Sequence, residues 1–294
     1  MPDLIIERPG LNEADAVNLK AAFEAESVRI LPNALRLEGL SKSAAAFLRA
    51  GIGDVPPAEV LPVPQGLSAA DIRLMAFDME STLIENECLD DMTEIAGEGK
   101  IGRELTRHGL SGDTALGFAD SLSARVKLLA GASESIIQEA VSRICLTPGA
   151  EELMDFCREN GILTYIITSS FTPIASFVAD RLGMTGFVAN DIEVVNGVIT
   201  GNVTGPAGGR ILDAEGKRRT LEILCASHGV RMKETLTCGY GMNDVGMVQA
   251  ARIGVAFHGT PALAQTADLR IRRGGLDTVK RLFVEGWEDA KTLN

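Results

Sequence analysis

From Ile72 onward the sequence predicts an α/β fold, a doubly wound parallel sheet that carries a helical insertion and a β-hairpin. Three observations predict it. Short apolar runs, Leu74 to Phe77, Leu163 to Thr168, Thr235 to Cys238, Gly254 to Phe257 and Leu269 to Ile271, read as strands buried on both faces. Helical segments separate them, as the crossover connections of a parallel sheet require. The first run ends abruptly on Asp78, which sets a carboxylate at the carboxyl edge of the sheet, where such folds keep their ligand crevice.

At 294 residues the chain exceeds a usual single domain. Residues 1–66 read as a small α+β module and its linker, with a strand at Leu4 to Glu7, a helix from Asn12 to Ala25 and strands at Val28 to Leu31 and Ala34 to Leu37. The segment Val55 to Pro64 holds four prolines in ten positions, which suits an extended connector better than a helix or a central strand. Residues 67–294 carry the alternating pattern. Within them the stretch at about 84–146 has helical apolar spacing at Ile136, Ile137, Ala140, Val141 and Ile144, and reads as a helical cap. A second insertion, Asp191 to Val203, joins two apolar segments through Asn196-Gly197, a strong hairpin signal, and is expected to flank the cleft.

Composition narrows the function. Apolar residues make up 46% and charged residues 23%, ordinary for a globular chain. A net charge of −12 and a pI near 4.8 argue against nucleic acid or an anionic membrane as partner. A small anionic substrate would then need a cation or focused Lys and Arg. No membrane span or leader is recognisable, so a cytoplasmic location is expected. Five cysteines, an odd number without zinc spacing, are expected as reduced buried thiols, and the three histidines receive no chemistry.

Four segments carry the chemistry. Asp78, in Asp78-Met79-Glu80-Ser81-Thr82, is placed as nucleophile or metal ligand, with a helix N-cap as the plainer reading. The turn Thr168-Ser169-Ser170-Phe171, ahead of Thr172-Pro173 at a helix start, is suited to an anion, or to capping alone. Lys217 lies in a cationic run at the start of a helix, an unfavourable place for positive charge, which suggests a purpose beyond a solvated basic face. Gly239-Tyr240-Gly241-Met242-Asn243-Asp244 then forms a second acidic corner at the same sheet edge.

Taken in order, these segments resemble the haloacid dehalogenase-like superfamily, and within it the phosphoserine phosphatases, over roughly Ile72 to the carboxyl terminus. That family uses a DxDST nucleophile motif, a Ser or Thr after the second strand, a Lys before a helix and a GDGxND metal motif. The resemblance implies a Rossmann-like core and a Mg²⁺-dependent hydrolysis of L-phosphoserine through an aspartyl-phosphate, a step of serine biosynthesis. It implies Asp78 as nucleophile and Glu80 as general acid and base, with Thr168, Ser169, Lys217 and Asn243 holding phosphate. Glu87 and Arg125 would read the amino and carboxylate groups of the serine moiety, Phe118 matches a family aromatic, and Asp78, Glu80 and Asp244 would hold the metal. The implied partner is a small phosphorylated substrate, and a homodimer is compatible with the reading.

Two positions depart from the pattern: Glu80 where the family has its second Asp, and Tyr240 where it has the first Asp of the metal motif. A phenol is a poor magnesium ligand, and the longer Glu80 could swing its carboxylate toward the vacancy. These departures motivate a rival reading, a degenerate relative that binds a phosphorylated or amino-acid ligand without turnover. A third keeps the chemistry with a changed substrate, because the cap segment Gly109 to Asp113 is longer than the family pattern.

Overall fold

The computed structural model describes residues 2–49, 57–111 and 117–294. The amino-terminal part contains β1 (Pro2–Glu7), α1 (Glu13–Ala22), β2 (Ser27–Leu31), β3 (Ala34–Glu38), α2 (Lys42–Arg49) and β4 (Glu59–Pro64). Asn12 caps α1, its side chain accepting from the N–H groups of Ala14 and Asp15, while its own N–H donates to the Asp15 carboxylate. The second half of the proline-rich segment is therefore a strand and not only a connector. β4 pairs with β1 alone and forms an edge, where Pro62 and Pro64 leave no ladder bond unmade.

This antiparallel sheet is buried on both faces. Leu4, Ile6, Val28, Leu35 and Leu37 face α1 and α2, whereas the alternate residues Asp3, Ile5, Arg36, Leu61 and Val63 face the rest of the chain. Arg36 is fully enclosed: one guanidinium nitrogen lies 2.8 Å from Asp3 Oδ2 and another donates to the Leu282 carbonyl. The final strand of the chain, Lys291–Leu293, pairs antiparallel with β2, so both termini share one sheet. Arg36→Met is expected to destabilise the protein by about 3 kcal/mol, because Asp3 becomes a buried charge without its partner. Urea denaturation measures this, and replacing Asp3 by Leu in the same chain should recover most of the loss.

The second sheet is built from β5 (Leu74–Phe77), β6 (Leu163–Phe171), β7 (Gly186–Val195), β8 (Val198–Thr204), β9 (Thr235–Gly239), β10 (Ile253–Phe257) and β11 (Leu269–Ile271), with Lys291–Leu293 of the first sheet becoming β12. Its order is β11-β10-β9-β5-β6-β7-β8, parallel except for the β7–β8 hairpin. The chain runs from β5 outward on one side and returns to pair β9 with β5 on the other, so β5 lies at the topological switch point. Asn196 and Gly197, both at positive φ, make the hairpin turn. β7 starts earlier than the predicted hairpin: its first half, beginning at Gly186, extends the parallel sheet beside β6.

Between β5 and β6 lie α3 (Cys88–Ile95), α4 (Gly99–Ser111), α5 (Phe118–Lys127), α6 (Ser135–Ser142) and α7 (Ala150–Glu159). The ends of the 84–146 insertion meet in a stalk, where Glu85 N–H donates to the Cys145 carbonyl and Thr147 N–H to that of Leu83, both at 2.9 Å. Cys145 is exposed, unlike the four other thiols, which corrects the expectation that all five are buried. Within the segment Gly109 to Asp113, residues 112 and 113 lie outside the described residues. The remaining helices are α8 (Thr172–Leu182), α9 (Ala214–Ser227), α10 (Val245–Ala250), α11 (Pro261–Thr266) and α12 (Asp277–Arg281). Among the described residues no helix is long and apolar enough to cross a membrane.

Candidate active site

The ends of β5, β6 and β9 converge with the start of α9. Asp78 follows the four buried residues of β5 and is held in register by its own N–H, which donates to the Cys238 carbonyl of β9 at 2.9 Å. Asp213 caps α9 by accepting from Gly216 N–H. Its first turn points Lys217 inward, while Arg218 and Arg219 stay outside in ion pairs with Glu215. Glu215 thus offsets the charge that the helix dipole disfavours. The enclosed Lys217 Nζ lies 2.7 Å from both Asp78 Oδ1 and Asp244 Oδ1.

Asp244 is seated by backbone. Its Oδ2 accepts from Tyr240 N–H and Gly241 N–H, each at 2.9 Å. A Cβ on Gly239 would come within 2.5 Å of Asp244 Cβ, so only glycine lets strand and carboxylate approach this closely. Tyr240 contributes its N–H to this seat and its ring to the cleft wall.

Burial dominates the electrostatics. Asp78 is pushed up to about 7, first by desolvation and then by the charge of Asp244, with Lys217 opposing both. Desolvation works against the Lys217 charge, but Asp244 and Asp78 outweigh it and keep the amine protonated. Glu80 is raised by burial, tempered by hydrogen bonds from Cys88 N–H and Ser170. Glu87 is raised well above the usual carboxyl range, by burial and then by the charge of Glu80.

The cleft beside this triad is lined by Asp78, Glu80, Glu87, Arg125, Thr168 and Tyr240, among others. Glu80 Oε1 accepts from Cys88 N–H at 2.9 Å and from Ser170 Oγ at 3.1 Å, so its carboxylate is turned to the cap and β6 and does not swing toward Tyr240. Ser81, at a positive φ of 54°, donates to Glu87 Oε1, a strained residue spent on orienting a cleft carboxyl. Arg125 reaches Thr106 Oγ1 at 2.9 Å, and that hydroxyl donates to Asp90. The Arg125 Nε is sealed from solvent with no partner, as is Asn243 Oδ1. Thr168 Oγ1 accepts from Ser170 N–H, and Ser169 Oγ donates to the Leu212 carbonyl. Every predicted residue therefore borders one cleft or its buried triad. Sequence reasoning gave no role to Ser170, Thr106 or Asp90: Ser170 stood unremarked inside a quoted motif, and the other two have no local signature.

The chain resembles known proteins in sequence and in fold. Residues 75–249 match the family model described as haloacid dehalogenase-like hydrolase. A phosphoserine phosphatase of Albidiferax ferrireducens is 35% identical over 221 residues, covering 74% of this chain and 92% of that one. A solved phospho-aspartyl intermediate analogue of phosphoserine phosphatase superposes with a TM-score of 0.68 at 28% identity, over 72% of this chain and 99% of that one. A probable phosphoserine phosphatase from Vibrio cholerae superposes with a TM-score of 0.75 at 25% identity, over 97% of this chain and 87% of that one.

Proposed function

This chain belongs to the haloacid dehalogenase-like hydrolases, and from that membership we infer that it hydrolyses small phosphomonoesters, L-phosphoserine foremost. One observation carries the reading: Lys217 Nζ gathers Asp78 and Asp244 at 2.7 Å each, beside a cleft that also holds Glu80, Glu87 and Arg125. Opposed charges at Glu87 and Arg125 suit the ammonium and carboxylate of a zwitterion. The names of the similar proteins favour hydrolysis over recognition without turnover.

Asp78 attacks phosphorus and forms an aspartyl-phosphate. Glu80 gives its proton to the departing serine oxygen and then takes one from the attacking water. Lys217, Thr168, Ser169 and Asn243 bind the phosphoryl oxygens. The cap, residues 84–146, closes over the substrate and excludes bulk water.

Members of this family are generally metal-dependent. Among the described residues no three His, Cys, Asp or Glu side chains gather around a point. The residues present nevertheless fit a hard cation, because Asp78 and Asp244 offer carboxylate oxygens from converging strand ends and Asn243 Oδ1 is an acceptor without a donor. Mg²⁺ accepts as few as one or two carboxylates when phosphate and water complete its shell. We assign Asp78 and Asp244 to it, and Glu80 only through its backbone, since its carboxylate is engaged elsewhere. Bound there, Mg²⁺ supplies positive charge to the phosphoryl oxygens. The division at residues 66 and 67, with the first module as a platform for the second, and a cytoplasmic place in serine biosynthesis belong to the same proposal.

The test is phosphate release from L-phosphoserine with Mg²⁺ and with chelator, and no release in either overturns the reading. Arg125→Met is expected to raise KM for L-phosphoserine about thirtyfold or more, as the loss of a charged hydrogen bond implies. Phosphoethanolamine, which has no carboxylate, should change little; equal losses on both substrates would remove Arg125 from substrate selection.

A further inference from the structure

We propose that Ser170 is a positioning residue for proton transfer, its hydroxyl holding Glu80 by one carboxyl oxygen so that the other faces the leaving group. The proposal rests on the phosphatase reading above.

A glutamate has three side-chain torsions and no fixed direction unless its carboxyl is held. Here Cys88 N–H at 2.9 Å and Ser170 Oγ at 3.1 Å both fall on the same atom, Glu80 Oε1, and the Cys88 thiol also lies against this carboxyl. Oε2 takes neither of these two bonds and is not among the sealed polar atoms without a partner, which leaves it as the oxygen on the cleft side. A protonated carboxyl whose Oε1 already accepts two hydrogen bonds keeps its proton on Oε2. The pair of donors thus selects which oxygen carries the transferable proton.

Ser170 is itself fixed. It is buried, its N–H donates to Thr168 Oγ1 at 3.0 Å, and the next residue, Phe171, pairs with β7 and enters the core. Cys88 opens α3 of the cap, whereas Ser170 belongs to the sheet. Glu80 is therefore clamped between the two parts that enclose the substrate, and Ser170→Ala releases the sheet side of the clamp.

In the first step a bond forms between an Asp78 carboxylate oxygen and phosphorus while the bond from phosphorus to the serine oxygen breaks. The proton on Glu80 Oε2 passes to that oxygen. In the second step a water oxygen bonds to phosphorus, one of its protons returns to Oε2, and the bond from Asp78 to phosphorus breaks.

The experiment compares wild type, Ser170→Ala and Ser170→Thr, each with and without Glu80→Gln, by steady-state kinetics on L-phosphoserine and by melting temperature. Ser170→Ala is expected to lower kcat about ten- to a hundredfold with KM within about twofold, as loss of catalytic alignment does. Ser170→Thr, which keeps the hydroxyl, should restore most of kcat, and Ser170→Ala should add nothing once Glu80 is Gln. An equal loss in both backgrounds, an effect on KM alone, or a drop in kcat matched by a fall in melting temperature overturns the role. An unaffected Ser170→Ala in an active wild type sinks only this inference, whereas an inactive wild type removes the phosphatase reading and this one with it.

Discussion

Asp78→Asn is expected to lower phosphate release from L-phosphoserine by at least about 10⁴-fold while leaving the fold as stable as before, or more so, at pH 7.5. The loss follows because an amide cannot attack phosphorus to form the acyl-phosphate. The stability follows from the environment of the carboxyl. Asp78 is pushed from 3.8 up to about 7 by burial and by Asp244, and Lys217 only partly opposes them. Across that window the folded chain holds a proton that the unfolded chain has released. Stability contributed by the protonated form is therefore complete at low pH and is lost as pH rises through the window. Asparagine has no charge to lose. The melting temperature of Asp78→Asn should accordingly match wild type near pH 4 and exceed it above pH 7, in chelator so that no cation intervenes. Retained turnover would remove Asp78 as nucleophile. A variant less stable at pH 7.5 would mean that the ion pair with Lys217 outweighs desolvation.

The parts of this arrangement that were legible in the sequence are those written in local pattern. An apolar run of four residues ending on Asp78, a cationic run where the helix dipole disfavours it, and Asn196-Gly197 between apolar segments each carry their structure within about ten residues. The contacts that complete the site are not local. Ser170 and Glu80 are 90 residues apart, and Arg125 meets Asp90 only through Thr106, across three helices of the cap. Strand β3 places Arg36 between Leu35 and Leu37, and β1 carries Asp3 beside Leu4, as though one face were wet, yet Arg36 and Asp3 are buried because the carboxyl-terminal residues Leu282, Phe283 and Trp287 cover that face. Nothing in strands β1 and β3 themselves encodes that cover. Proline content hid β4 for a different reason: it argues correctly against a central strand but is silent about an edge.

Lys217→Met is expected to damage both stability and turnover, in contrast to Asp78→Asn. The ammonium is fully enclosed and is the charge shared by Asp78 and Asp244. Without it two buried carboxylates face each other, Asp244 keeping its donors Tyr240 N–H and Gly241 N–H and Asp78 only the Met79 backbone. Removing one partner of such a set costs about 3–5 kcal/mol. Urea denaturation should show that loss, and a destabilisation under about 1 kcal/mol would mean that the carboxylates relax into solvent or protonate at little cost. Turnover falls as well, since the like charge of Asp244 then acts on Asp78 unopposed and favours its protonated, non-nucleophilic form. Lys217→Arg is not expected to rescue, because a planar guanidinium cannot fill a site shaped for a compact ammonium. Adding Asp78→Asn to Lys217→Met takes away one of the two facing charges, so the double variant should regain stability without regaining turnover. The three side chains would then behave as one coupled unit, in which the lysine opposes the repulsion that would otherwise hold Asp78 in its protonated form.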